Sequence, residues 1–106
     1  MRRGEIRWYT FRAPDKQRPV LLLTRDEVIE AINEIIVAPA TRTVRGLATE
    51  VELTEADGMP TRCALNFDHL ALAQRSRLGP VIADFPAGRW SEVREALLTA
   101  CGWKPE

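Results

Sequence analysis

Residues Val20-Leu21-Leu22-Leu23 form an unbroken apolar run, and Arg18-Pro19 leads straight into it. A strand without polar alternation must lie centrally or be covered on both faces. Proline fixes its own φ and holds the preceding residue extended, so Arg18 is delivered in one backbone geometry. A guanidinium there offers a rigid fork of donors that matches a phosphate. Its plainer role would be to solvate the end of a strand.

The remaining elements are short. Residues 4–11 read as a strand with Trp8 and Phe11 among its bulky members, followed by a polar loop, 12–17, that holds Pro14 and Asp15. Thr24-Arg25-Asp26-Glu27 fits a capping box. It predicts a helix over roughly 25–33 with Val28, Ile29 and Ile32 inward. Residues 35–38 make a third strand ended by Pro39, with a Thr- and Arg-rich loop over 40–47. Strands are expected at 48–53, 63–67 and 80–85, with a turn at Asp57-Gly58 near Pro60. Residues 68–75 continue the 63–67 strand or pair with it after a bend. Trp90, Val93, Leu97, Leu98 and Cys101 share one helical face, and Gly102 suits the C′ stop. Many short strands and one long terminal helix predict an α+β chain, mainly β. The expected form is a small curled antiparallel sheet with a short helix and a long C-terminal helix packed on it.

The 106 residues predict one domain over 1–106, since no repeat or linker divides them. At 45% hydrophobic residues the chain is too apolar for disorder. No apolar run approaches the ~20 residues of a membrane span, and no apolar h-region follows the basic N-terminus. A cytoplasmic protein without a membrane partner is the expectation. Cys63 and Cys101 form no close-spaced pair, so neither a disulfide pattern, a metal site nor a cofactor is signalled. Both are expected in the core.

Net charge is zero, which argues against a protein that simply coats nucleic acid. The charge is nevertheless polarised. Residues 1–25 hold seven basic and two acidic residues, whereas 26–34 and 50–57 each hold four acids and no base. Of the 15 basic residues 13 are Arg, which grips phosphate bidentately and stacks on bases. Such a surface suits a limited anionic site.

Five segments occur in order. They are Arg3-Gly4-Glu5-Ile6-Arg7-Trp8, Arg18-Pro19, Ile36-Val37-Ala38-Pro39-Ala40-Thr41, Cys63-Ala64-Leu65-Asn66-Phe67-Asp68 and Ser76-Arg77-Leu78-Gly79. Together they resemble the MazF/PemK/Kid family of toxin endoribonucleases, over residues 2 to 102. The resemblance implies a compact SH3-like β-barrel that forms a homodimer. It implies metal-independent, sequence-specific cleavage of single-stranded RNA by 2′-hydroxyl attack, causing growth arrest. The target would be mRNA, with tRNA and rRNA as further candidates. The implied partner is a MazE-like antitoxin whose C-terminal tail lies in the RNA groove. In the family, the Arg of the Arg-Pro motif and the Thr after the Pro-x step are associated with catalysis. They correspond to Arg18 and Thr41, with Thr43 the nearby alternative.

If the strands at 19–24 and 35–38 are neighbours, Arg18 and Thr41 can face one cleft. Arg18 would stabilise the charged pentavalent state, and the Thr41 hydroxyl would donate to a non-bridging oxygen. The plainer reading of Thr41 is a turn hydroxyl bonded to its own backbone. Glu5 and Asp68 are candidates for proton handling. In an extended stretch, Asn66 and Asp68 share one face and His69 points to the other. Some Kid-type relatives carry Arg-x-Asp where this chain has Asn66-Phe67-Asp68, and Asn66 supplies no cation. Gln17, Arg42, Arg45 and Arg75 are candidate groove contacts, with Thr43 and Asn66. Trp8, Tyr9 and Trp103 could stack on bases, Trp8 being the one expected in the core.

Two other functions remain open from sequence. One is a gyrase-binding, CcdB-like toxin without enzymatic activity. The other is a catalytically silent RNA-binding barrel.

Overall fold

The computed structural model describes residues 1–12 and 17–104. The expected loop residues Pro14 and Asp15 lie outside them. Seven strands form one curled antiparallel sheet: β1 (Glu5–Tyr9), β2 (Arg18–Leu22), β3 (Glu34–Thr41), β4 (Glu50–Leu53), β5 (Cys63–Asn66), β6 (Ala71–Gln74) and β7 (Val81–Asp84). Two helices join them, α1 (Asp26–Ile29) and α2 (Trp90–Ala100). Strand order is β4-β5-β3-β2-β1-β7, and β6 also pairs with β3.

The apolar run of β2 explains the architecture. Its alternate side chains enter two separate cores. Leu21 joins Ile6, Ala38, Val51, Leu53 and Leu65 beneath Val93 and Ala96 of α2. Val20 and Leu22 join Tyr9, Ile35, Val37 and Ala73, closed by Ile29 of α1. Each fully buried Leu, Ile or Val side chain among these contributes about 1.5–3 kcal/mol relative to exposure.

Several boundaries differ from the sequence expectation. Helix α1 is one turn, because Thr24 is used elsewhere. Its Oγ1 accepts the Ile36 amide at 2.8 Å instead of capping the helix, and Ile32 is left 39% exposed. A capping box does form, at Thr54 and Asp57. Pro39 does not end β3, which runs on to Thr41. The proline falls between the last β6 pair, Val37 with Ala71, and the first β5 pair, Ala40 with Leu65. A single 3₁₀ turn over Phe67–His69 interrupts that edge, so the missing N–H has no ladder partner to lose.

The same turn cancels the expected alternation at 66–69. Asn66 Nδ2 and His69 Nδ1 stand 3.2 Å apart on one side, while Asp68 turns to Thr49. Cys63 is buried as expected, but Cys101 is exposed. Helix α2 ends as anticipated. The amide of Gly102 donates to Thr99 and that of Trp103 to Leu98, a Schellman closure around Gly102 at φ +77. No helix among the described residues is long and apolar enough to cross a membrane.

Candidate active site at the barrel mouth

A cavity of about 350 Å³ opens over the inner strands of the curled sheet, lined from β1, β2, β3 and the start of β5 with the connections beside them. Trp8 and Pro19, register partners on β1 and β2, make one side. Met59, Pro60 and Thr61, from the β4–β5 connection, make the other, and Ala40 and Cys63 lie between. Gln17, Arg18, Thr41, Arg42 and Thr43 complete the lining.

Arg18 and Thr41 arrive there because β2 and β3 are antiparallel neighbours. Val20 lies opposite Pro39, and the two residues follow in step. Thr41 forms the turn that its sequence allowed. Its Oγ1 accepts the Thr43 amide at 3.1 Å. That contact uses a lone pair, so the hydroxyl proton stays available to a bound oxygen. Arg18 is exposed, and among the described residues neither Arg18 nor Arg42 makes an ion pair. Trp8 is half-buried with a face on the cavity, rather than wholly in the core. The Ser76–Gly79 motif backs it. Gly79 donates to the Trp8 carbonyl at 2.8 Å, and a Cβ there would meet that carbonyl oxygen at 3.1 Å.

Of the ten expected site residues, Arg18, Thr41, Gln17, Arg42 and Thr43 come together. The other five do not line the mouth. The Glu5 carboxylate, 8% exposed, accepts Arg7 Nε at 2.9 Å on the β1–β7 side of the sheet. Burial pushes that carboxyl up. The Arg7 hydrogen bond, a backbone bond at Arg2 and the nearby positive charges outweigh it and hold the group below the ordinary glutamate range. Glu5 is thus a tethered anion where a proton acceptor had been expected. Asp68 accepts the Thr49 hydroxyl at 2.7 Å, and its amide donates to Asn66 Oδ1 at 2.9 Å. Arg75 donates to the Ile32 carbonyl and pairs with Glu30, in a separate recess lined by Asn33, Glu34, Gln74 and Ser76.

Arg45 belongs to the loop between β3 and β4. Its backbone is fixed by a residue the sequence reading missed. Glu50 Oε1 accepts the amides of Arg45, Gly46 and Leu47 at 3.0, 2.9 and 3.4 Å. The carboxylate therefore pins the loop that begins with Arg42 and Thr43. Its other oxygen, Oε2, is buried and has no hydrogen-bond partner among the described residues. Met59, Pro60 and Thr61 were also missed, since only the fold carries the β4–β5 turn to this place.

Burial, with the Asp57 and Glu52 charges, pushes the Cys63 thiol up, which keeps it neutral and a poor nucleophile. Among the described residues no group of three His, Cys, Asp or Glu side chains is placed to hold a metal ion. The mouth thus offers a permanent cation, a hydroxyl donor and an apolar floor. That combination suits one phosphate with an attached planar group.

Residues 2–100 match the family of PemK-like, MazF-like toxins of type II toxin–antitoxin systems. The chain is 38% identical over 103 residues to the probable endoribonuclease MazF2 of Mycobacterium tuberculosis, covering 96% of this chain and 99% of that protein. The structure of the M. tuberculosis toxin MazF-mt6 superposes with a TM-score of 0.85 at 34% identity, over 92% of this chain and 96% of that one. A MazE–MazF crystal structure from Deinococcus radiodurans aligns at a TM-score of 0.79 and 26% identity, over 96% of both chains.

Proposed function

Because this chain belongs to the PemK-like, MazF-like toxins of type II toxin–antitoxin systems, we propose that its barrel mouth cleaves single-stranded RNA. One observation carries the reading: Arg18 and Thr41, from two different strands, line a single cavity. The substrate's 2′-hydroxyl gives up its proton to water and attacks the adjacent phosphorus, a pentavalent phosphorane forms, and the 5′-oxygen leaves with a proton taken from water. Arg18 neutralises the charge that grows on the equatorial oxygens, and Thr41 donates to one of them. A preorganised donor aimed at developing charge accelerates such a step by about 10²–10³. Arg42, Thr43 and Gln17 hold the strand on either side.

Neither Glu5 nor Asp68 carries the proton in this reading. Each already has a protein partner, and both lie outside the described lining. Charge stabilisation is the main contribution of the described residues. Arg45, Asn66 and Arg75 stand outside the cavity lining and take no part at the scissile linkage in this reading.

The second partner is an antitoxin, in keeping with the MazE–MazF assembly from D. radiodurans. Its tail occupies the mouth and competes with RNA. A homodimer belongs to the same reading. Ile36 and Leu72, register partners on β3 and β6, remain 46% and 58% exposed and offer it an apolar contact. The gyrase-binding alternative is not retained, since the M. tuberculosis relative is named an endoribonuclease.

The test is to incubate the purified protein with mixed RNA and a chelator, then to analyse product ends. Cyclic 2′,3′-phosphates and free 5′-hydroxyls are expected. Intact RNA, bound in a salt-dependent manner, would leave the catalytically silent barrel instead.

A further inference from the structure

The β4–β5 connection is built to hold its place. The Asp57 carboxylate accepts the Thr54 amide at 2.9 Å, and the Thr54 hydroxyl accepts the Ala56 amide at 3.2 Å. Gly58 follows at φ +92, where a Cβ would meet the Ala83 side chain at 3.1 Å. Immediately before α2, Arg89 reaches the Glu52 carbonyl at 2.8 Å and the Asp57 carboxylate at 3.4 Å, itself clamped by Glu92. The outcome is a rigid wall. Met59 is almost fully buried, and Pro60 and Thr61 stand exposed at the rim. The facing wall is equally fixed, with Pro19 paired to Trp8 and Gly79 bonded behind it.

The space between them is small. At about 350 Å³ it sits at the low end of the range of roughly 300–1,000 Å³ typical of small-molecule pockets. It has room for one nucleotide unit and none for a stacked run. Its lining is largely apolar (Trp8, Pro19, Ala40, Met59, Cys63), and Arg18, Thr41, Arg42 and Thr43 are among its polar members. RNA readers commonly splay a base out, stack it on an apolar or aromatic plane and hydrogen-bond its edge.

We infer that the mouth is a single-nucleobase pocket in which the base next to the scissile phosphate unstacks between Trp8–Pro19 and Pro60, with Met59 beneath and the Thr61 hydroxyl reading its edge. The inference rests on the RNA-cleaving reading and adds to it which residues choose the base. The Thr61 hydroxyl donates to the Arg62 carbonyl at 3.2 Å. Its lone pairs therefore face an N–H donor on the base.

The test uses an uncleavable RNA, with a 2′-deoxy residue at the cut site, carrying either a normal base or an abasic residue on each side of the scissile phosphate in turn. Removing the base on one side should weaken binding by the wild type about tenfold or more, the scale of one stacked base. Trp8→Ala and Pro60→Ala should show a much smaller penalty for the same change. Cut-site mapping on a randomised RNA with Thr61→Val should show relaxed preference at that position alone. Equal wild-type affinity for all the abasic and intact RNAs would overturn the inference, as would an unchanged cut-site preference in Thr61→Val. Either result could stand beside normal cleavage by the wild type. Absence of any cleavage by the wild type would instead sink the reading underneath.

Discussion

Arg18 and Thr41 face one cavity from adjacent antiparallel strands. The register that sets Val20 against Pro39 runs on toward them, two residues further along each strand. Thr41 meanwhile spends a lone pair on the Thr43 amide and keeps its proton. The meeting of these two side chains is therefore a property of sheet register.

This pairing has a consequence for mutants. Residues that act on one phosphate should lose activity non-additively. Thr41→Ser keeps both the turn and the donor and should stay within several-fold of wild type. Thr41→Val should fall well below it, and should cost less in an Arg18→Ala background than alone. Single-turnover rates across the double-mutant cycle check this. Strictly additive losses would mean that the two side chains work on different things.

Glu50 is expected to act at a distance. Its carboxylate accepts three successive amides, and hydrogen bonds to a charged group are worth about 1.5–3 kcal/mol each before desolvation is counted. Glu50→Ala should destabilise the fold by about 1–3 kcal/mol and raise KM more than it lowers kcat, because the freed loop carries binding residues. Glu50→Gln keeps one accepting oxygen and should be milder on both counts. Thermal melts and a KM–kcat split decide. Unchanged KM in Glu50→Ala would show that the loop does not hold RNA.

Glu5 gives a stability prediction with a definite sign. Its carboxyl is held below the ordinary glutamate range in the folded state. The resulting stability is present above that range and is lost as pH falls through the folded value. Wild type should therefore exceed Glu5→Gln in melting temperature at neutral pH. The gap should close on acidification into and below the ordinary glutamate range. A gap that persists or widens in acid would contradict the assigned role of the Arg7 bond.

The fold was legible where sequence pattern and tertiary packing agree. The apolar run of β2, the heptad-like face of α2 and Gly102 all carry local signals strong enough to survive in the structure. It was misread where one side chain had two possible partners. Thr24 could cap a helix or tie β2 to β3, and it does the second. Pro39 reads as a strand end locally, yet it fits a strand whose neighbouring edge is interrupted at that point. That Arg18 and Thr41 would line one cleft was visible, because the two strands that carry them could be read as neighbours. The contribution of Met59, Pro60 and Thr61 was not, because only the curl of the sheet brings the β4–β5 turn to the cavity that Trp8 lines. Glu5 looked like a proton acceptor because sequence does not show that Arg7, two residues along the same strand, already holds it.

The most direct measurement is the single-turnover cleavage rate of Arg18→Ala on an RNA that the wild type cuts, in chelator, with melting curves showing that both are folded. The account expects a loss of about 10²–10³, partly restored by Arg18→Lys, which returns the charge without the fork. A folded Arg18→Ala protein that cuts as fast as the wild type would contradict it.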